Sequence, residues 1–255
     1  ADPTNVFPIH FTVVFSEAVN DFTSADITLS TGGTATITPV SATVYDISVS
    51  GMAQGVLIAS IPAGRVTDDV GLANTVSAST DNSVLYDTLA PSVTVDKASG
   101  QADPTNTGPI NFTVVFSEPI SGFTNADLVI SGTAAPSTAI ITTGSGTTYN
   151  VAVSGMAADG TVTLTVPAGA AQDPTGNLST ASTSTDNVVI YDTTRPTVTI
   201  NQDAAQADPT STSPINFTVV FSEPVTGLTS ADINLTGTAG ATTARSAPAH
   251  RPGAS

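Results

Sequence analysis

A chain of 255 residues with 5 Lys+Arg against 21 Asp+Glu carries a net charge of -16. That balance excludes nucleic acid as a partner, because phosphate binding needs Lys and Arg, and it repels anionic membrane surfaces. The absence of Cys removes disulfides and thiol chemistry, and no stretch approaches the roughly 18 apolar residues of a membrane span, so this segment inserts in no membrane. The low charge content and the wealth of Thr, Ser, Ala and Val fit a secreted or cell-surface bacterial protein. The same acidic excess favours cations, divalent metal ions first.

The chain opens at Ala1 with neither a Met nor a signal peptide, and is expected to be a processed or excised segment. From there the sequence repeats itself. Ala1-Asp2-Pro3-Thr4 returns at Ala102 and again at Ala207, with spacings of 101 and 105 residues. Each copy is followed by one phrase: IHFTVVFSE from Ile9, INFTVVFSE from Ile110 and INFTVVFSE from Ile215. Ser50-Gly51-Met52-Ala53 matches Ser154-Gly155-Met156-Ala157, and Tyr86-Asp87-Thr88 matches Tyr191-Asp192-Thr193 just ahead of Pro91 and Pro196. Repetition on this scale means an array of similar units.

Within the central unit the apolar period is two. Val93 and Val95 predict a first strand; Ile110, Phe112, Val114 and Phe116 a second; Leu128 and Ile130 a third. Thr138 to Thr142, then Tyr149/Val151/Val153, Val162/Leu164/Val166 and Val188/Ile190 complete seven strands, A to G. Gly, Pro, Asn, Asp and Ser punctuate them, and no helical stripe of useful length appears. Seven strands in about 100 residues is the count of an antiparallel Ig-like β-sandwich, so the fold class expected is all-β, in tandem sandwiches. The units are placed at 1–90 (without strand A), 91–195 (complete) and 196–244 (truncated). The tail 245–255 is unrelated to the repeats and expected to be disordered.

The phrase VVFSEPV, a following ADI or ADL, a D-x-x-G-N turn and a Y-D-T-x-x-P joint together resemble bacterial Ig-like repeats. The resemblance covers nearly all of residues 1–244. It implies a role in the stalk of a surface adhesin or another secreted multidomain protein, with neighbouring repeats of the same chain as partners. Unit one departs from the pattern at Ala18 and Leu72.

Strand order gathers the acids. In a seven-strand sandwich the B–C and F–G loops lie at the pole where the incoming linker arrives. Asp87 is in that linker, Glu118 and Asp127 flank the B–C loop, and Asp173 and Asn177 belong to the F–G loop. The corresponding positions in the flanking units are Glu17 and Asp68, and Asp192, Glu223 and Asp232. Oxygen-only ligands around a tight Gly turn suit calcium, which takes six to eight oxygens. The logic is similar to that of cadherin linker sites, where calcium stiffens successive domains. Asp2 and the Ser50–Gly55 turn are candidates to add oxygens from unit one. The competing reading is that Asp and Asn only shape turns, which accounts for Asp173 but poorly for Glu118, since Glu is not a turn former.

Catalysis has little to build on. His10 occupies a slot held by Asn111 and Asn216 in the other units, Lys97 is the only Lys, and no nucleophile–base pair can be assembled. A calcium-stiffened stalk or spacer is therefore expected. Two alternatives are a module binding a carbohydrate or protein ligand at a cell surface, and a fibre subunit assembling by strand exchange through its incomplete end units.

Overall fold

A computed structural model describes residues 2–245. The tail expectation therefore lies, but for Arg245, outside the described residues. The chain divides into two compact units between Thr193 and Thr194.

The first unit contains two sandwiches. In the N-terminal one, β1 (Ile9–Val14), β3 (Thr34–Pro39) and β4 (Val44–Ser50) form one antiparallel sheet in the order β1-β4-β3. The facing sheet is β2 (Thr28–Leu29), β5 (Gly55–Ser60) and β6 (Ser83–Tyr86), ordered β2-β5-β6. In the central repeat β7 (Val93–Lys97), β8 (Ile110–Phe116), β10 (Thr138–Ser145) and β11 (Thr148–Ser154) form a four-stranded sheet in the order β10-β11-β8-β7. The opposite sheet is β13-β12-β9, from β9 (Val129–Ser131), β12 (Gly160–Thr165) and β13 (Val188–Tyr191). Lettered in chain order, the sheets are D-E-B-A and G-F-C, the arrangement of an Ig constant-type sandwich. The all-β, Ig-like expectation holds.

The core follows from the period of two. Ile110, Phe112, Val114 and Phe116 are all buried, together with Val93, Val95, Val151, Val153, Val162, Leu164 and Val189 from the other strands of both sheets. Above this core Phe116, Phe123 and Tyr149 pack edge to face, with Phe123 ring centres 5.1 Å from each neighbour. Phe15, Phe22 and Tyr45 repeat the trio in the N-terminal sandwich. There, however, Phe11, Val13 and Phe15 are only half buried, although they match Phe112, Val114 and Phe116 residue for residue.

The second unit holds β14 (Val198–Gln202) paired antiparallel with β15 (Phe217–Phe221). By the repeat, Ile233–Leu235 matches Leu128–Ile130 and predicts a third strand, but residues 233–235 are not a strand. In the central repeat strand C bonds only to strand F, through Thr163↔Ser131 to Thr165↔Val129, and the repeat similarity stops before any F strand. With nothing to pair against, the segment stays irregular. The β14–β15 pair leaves its apolar side chains wet: Val198 is 51 % exposed, Ile200 58 % and Phe217 58 %. Burial that would offset chain entropy is missing. Treated with a non-specific protease, the chain should be cut between 196 and 245 well before it is cut between 91 and 193. Equal resistance would show that the two-strand unit is stable by itself.

Candidate metal centre at the joint between repeats

The site starts from how the linker is tied down. At the end of β8, Phe116 points into the core; Ser117 N–H donates to the Ser92 carbonyl at 2.9 Å, and Ser92 N–H donates to Ser117 Oγ at 3.0 Å. Thr180 N–H donates to the Pro91 carbonyl at 2.9 Å. The linker is thus pinned between the start of the B–C loop and the end of the F–G loop. Period-two alternation then carries Glu118 to the same side as Phe116, over the rim of the core, where it is half buried. Reciprocal bonds between Ser121 and Gln172, at 2.7 and 3.0 Å, hold the B–C loop against the F–G loop.

The F–G loop turns tightly at Asp173-Pro174-Thr175-Gly176-Asn177. Gly176 has φ 91°, a conformation that a side chain would strain. Asp173 is 2 % exposed. Its Oδ1 accepts from Thr175 N–H at 2.8 Å, Thr175 Oγ at 2.7 Å and Asn177 N–H at 2.9 Å, while Oδ2 accepts from Asn177 Nδ2 at 2.8 Å. Burial pushes the Asp173 carboxyl up, but these bonds outweigh it and hold it below its ordinary value.

Carboxylate oxygens of Asp87, Glu118 and Asp173 lie within 4.8 Å of one another, and among the described residues this is the one such acidic group. None of the three is in a salt bridge among the described residues. The Glu118 carboxyl is pushed above its ordinary value, first by burial and then by the charges of Asp173 and Asp87. Asn177 Nδ2 also donates to the Asp87 carbonyl at 3.0 Å. Two residues of the N-terminal repeat reach in: Asn5 Nδ2 donates to Asn177 Oδ1 at 3.0 Å, and Gln54 Nε2 donates to Asp87 Oδ1 at 3.1 Å. The three carboxylates are hard oxygen donors of the kind a divalent cation takes, while the amides of Asn5, Gln54 and Asn177 reach the joint with their nitrogens.

Four of the expected residues, Asp87, Glu118, Asp173 and Asn177, are therefore neighbours. Asp127 is not among them. Its Oδ2 accepts from Thr124 N–H and Oγ, both at 2.8 Å, capping a short 3₁₀ turn at Asn125–Asp127. Asp232 does the same for Thr229. Asp68 Oδ1 accepts from Val70 and Leu72 N–H at 2.9 and 2.8 Å, a turn in which Leu72 offers no amide side chain. Glu17 is exposed. Asp192 N–H donates to the Thr105 carbonyl at 2.9 Å. Glu223, in the second unit, has one buried carboxyl oxygen without a hydrogen-bond partner. Asp2 accepts from Leu85 N–H at 2.9 Å, and Asp103 repeats this with Ile190 N–H, so both fasten the A–B loop to strand G. Asn5 was missed, although its recurrence as Asn106 was an available signal. Gln54 lies in the Ser50–Gly55 turn expected to add oxygens, but it reaches Asp87 with its amide nitrogen.

Residues 87–190 match the family model described as bacterial Ig-like domain. No curated protein and no solved structure matches the chain. Domains of this kind are a non-enzymatic fold family and serve as structural or adhesion-type modules, commonly in extracellular proteins. No helix among the described residues is long and apolar enough to cross a membrane. The two-sheet topology, the buried period-two strands and the family match agree, and residues 87–190 are a bacterial Ig-like domain.

Proposed function

We propose that this chain is a non-catalytic spacer from a bacterial surface or secreted protein, whose repeats are stiffened by calcium at their joints. The observation that carries this reading is the convergence of Asp87, Glu118 and Asp173 from linker, B–C loop and F–G loop. Without a cation, three neighbouring carboxylates repel one another and strain the joint; an ion removes that repulsion and cross-links all three segments. The non-catalytic reading draws on His10, which lies on an exposed strand face with Nδ1 3.1 Å from Asp46. A His–carboxylate contact on an exposed strand face, in a slot held elsewhere by Asn, is a surface contact.

Thermal melting and small-angle scattering of the chain, with millimolar calcium and then with excess chelator, test the proposal. Calcium should raise the melting temperature and lengthen and narrow the particle. A ligand at 100 times its Kd stabilises the folded form by about 2.7 kcal/mol. Both effects should shrink in Glu118→Gln. The acids also set a pH signature in chelator. Folded Glu118 holds its proton more tightly than the unfolded chain does, so its contribution to stability falls as pH rises above 4.5. Folded Asp173 holds its proton less tightly, so its contribution is present above 3.8 and is lost as pH falls through the folded value. Calcium should abolish the decline above 4.5, and Glu118→Gln should abolish it without calcium. If calcium alters neither melting nor dimensions, the acids are turn residues only.

A further inference from the structure

The recurring Ala-Asp-Pro-Thr phrase contributes none of the three clustered carboxylates; its acid bonds strand G instead. In the central repeat Asp103 Oδ1 accepts from Ile190 N–H at 2.9 Å. Thr105 N–H donates to the Ile190 carbonyl and Asp192 N–H donates to the Thr105 carbonyl, both at 2.9 Å. Thr105 is thereby paired parallel to Tyr191. Pro104 falls between the two bonded residues, where the pairing needs no N–H from it. The N-terminal repeat builds the same lock. Asp2 Oδ1 accepts from Leu85 N–H, Thr4 N–H donates to the Leu85 carbonyl and Asp87 N–H donates to the Thr4 carbonyl, each at 2.9 Å.

In the central repeat this lock is one end of a longer contact. β7 also runs parallel to the stretch before strand G, with Thr94 opposite Thr183. Starting from the incoming linker, Thr180 N–H donates to the Pro91 carbonyl at 2.9 Å and Thr183 N–H to the Val93 carbonyl at 3.0 Å. Val95 N–H donates to Ser184 Oγ at 2.9 Å, and Lys97 N–H to the Asp186 carbonyl at 2.7 Å. Lys97, the only Lys of the chain, bridges the two halves of the contact, with Nζ 3.3 Å from Asp186 and 3.5 Å from Asp103. Residues 91–105 and 180–192 are thus cross-bonded from one pole of the sandwich to the other. On its far side β7 is held antiparallel to β8.

The direction of these two stretches sets what they can resist. The chain enters the repeat at Pro91 and leaves it at Asp192, and both stretches run from the entry pole to the exit pole. A pull along the chain therefore drags the first stretch back toward the entry and the last one forward toward the exit. The two must slide past each other, which strains every cross-bond at once. Strands pulled apart from a shared end would instead open one bond at a time. Hydrogen bonds that are weak singly share the load in the first case and not in the second. We infer that the central repeat bears tension along the chain through a shear clamp between residues 91–105 and 180–192, locked at its exit end by Asp103 and Thr105. The inference rests on the spacer reading only for the direction of the load. Calcium has no part in it.

Single-molecule force spectroscopy on the full chain, in chelator, tests this. The chain has no Cys, so pairs of introduced thiols choose where the load is applied. Leu89, Leu178 and Pro196 are exposed and suit the purpose. Leu89→Cys with Pro196→Cys loads the clamp in shear, whereas Leu89→Cys with Leu178→Cys pulls from the entry pole alone and peels it. At one pulling speed the shear pair should unfold at a several-fold higher force than the peeling pair. Its unfolding step should lengthen the tether by roughly 30 nm, the extended length of about 100 residues less the folded span. In the shear geometry Asp103→Ala should lower the force. Asn125→Ala removes the bond from Ile141 N–H to Asn125 Oδ1 on an unloaded strand edge and should leave the force unchanged. Equal forces in the two geometries overturn the inference, as does a shear force that Asp103→Ala lowers no more than Asn125→Ala. These outcomes do not depend on the metal, so a failure of the calcium reading shows separately, as melting and scattering that calcium leaves unchanged.

Discussion

Replacing Phe112 by Ala should destabilise the central repeat by about 3–5 kcal/mol, the range for emptying a buried aromatic site. Phe112 is fully buried, opposite Val151 on β11 and Lys97 on β7, within a core fed by both sheets. The strands around it are hydrogen-bonded on both sides, so the backbone cannot close the cavity. For a domain of this size the loss corresponds to a fall in melting temperature of roughly 10 °C or more. Phe11→Ala is the internal control. Phe11 occupies the same place in β1 but is half exposed, so less apolar area returns to water and the cost should be under half as large. Calorimetry on the two variants decides the matter. Equal losses would mean that Phe11 is packed as deeply in solution as Phe112.

Asp173→Ala should cost about 1–3 kcal/mol, the penalty for stranding buried donors. The carboxylate satisfies Thr175 N–H and Oγ together with Asn177 N–H and Nδ2. Truncation leaves all four seeking water in a site where Asp173 was 2 % exposed. It also frees Asn177, the residue that contacts both Asn5 of the preceding repeat and the Asp87 carbonyl. The variant should therefore melt lower and lose its response to calcium at once. Asp68→Ala gives the contrast: its carboxylate serves two exposed N–H groups of an equivalent turn, and no cross-repeat bond depends on it. Its loss should be within about 1 kcal/mol, a lost hydrogen bond at the surface. An Asp173→Ala chain as stable as Asp68→Ala would mean that the central turn holds itself without its carboxylate.

How far the sequence reaches depends on whether a property is local or repeated. Strands, their inward faces and the sheet topology were legible, because alternation at Ile110–Phe116 and the recurring Pro, Gly and Asp turns are properties of neighbouring residues. The meeting of Asp87, Glu118 and Asp173 was legible too, since strand order alone sends linker, B–C loop and F–G loop to one pole. Asp127 was misplaced because a carboxylate three residues after Thr124 satisfies its own turn before it can reach a distant ion, and capping is as local a force as any. The missing third strand at residues 233–235 was not legible: a strand exists only when its partner does, and partnership across a sheet is a long-range contact that no period reveals. Asn5 and Gln54 belong to the same class. Their amides matter because folding carries them against Asn177 and Asp87, and only the packed joint, not the spacing of residues along the chain, sets that distance.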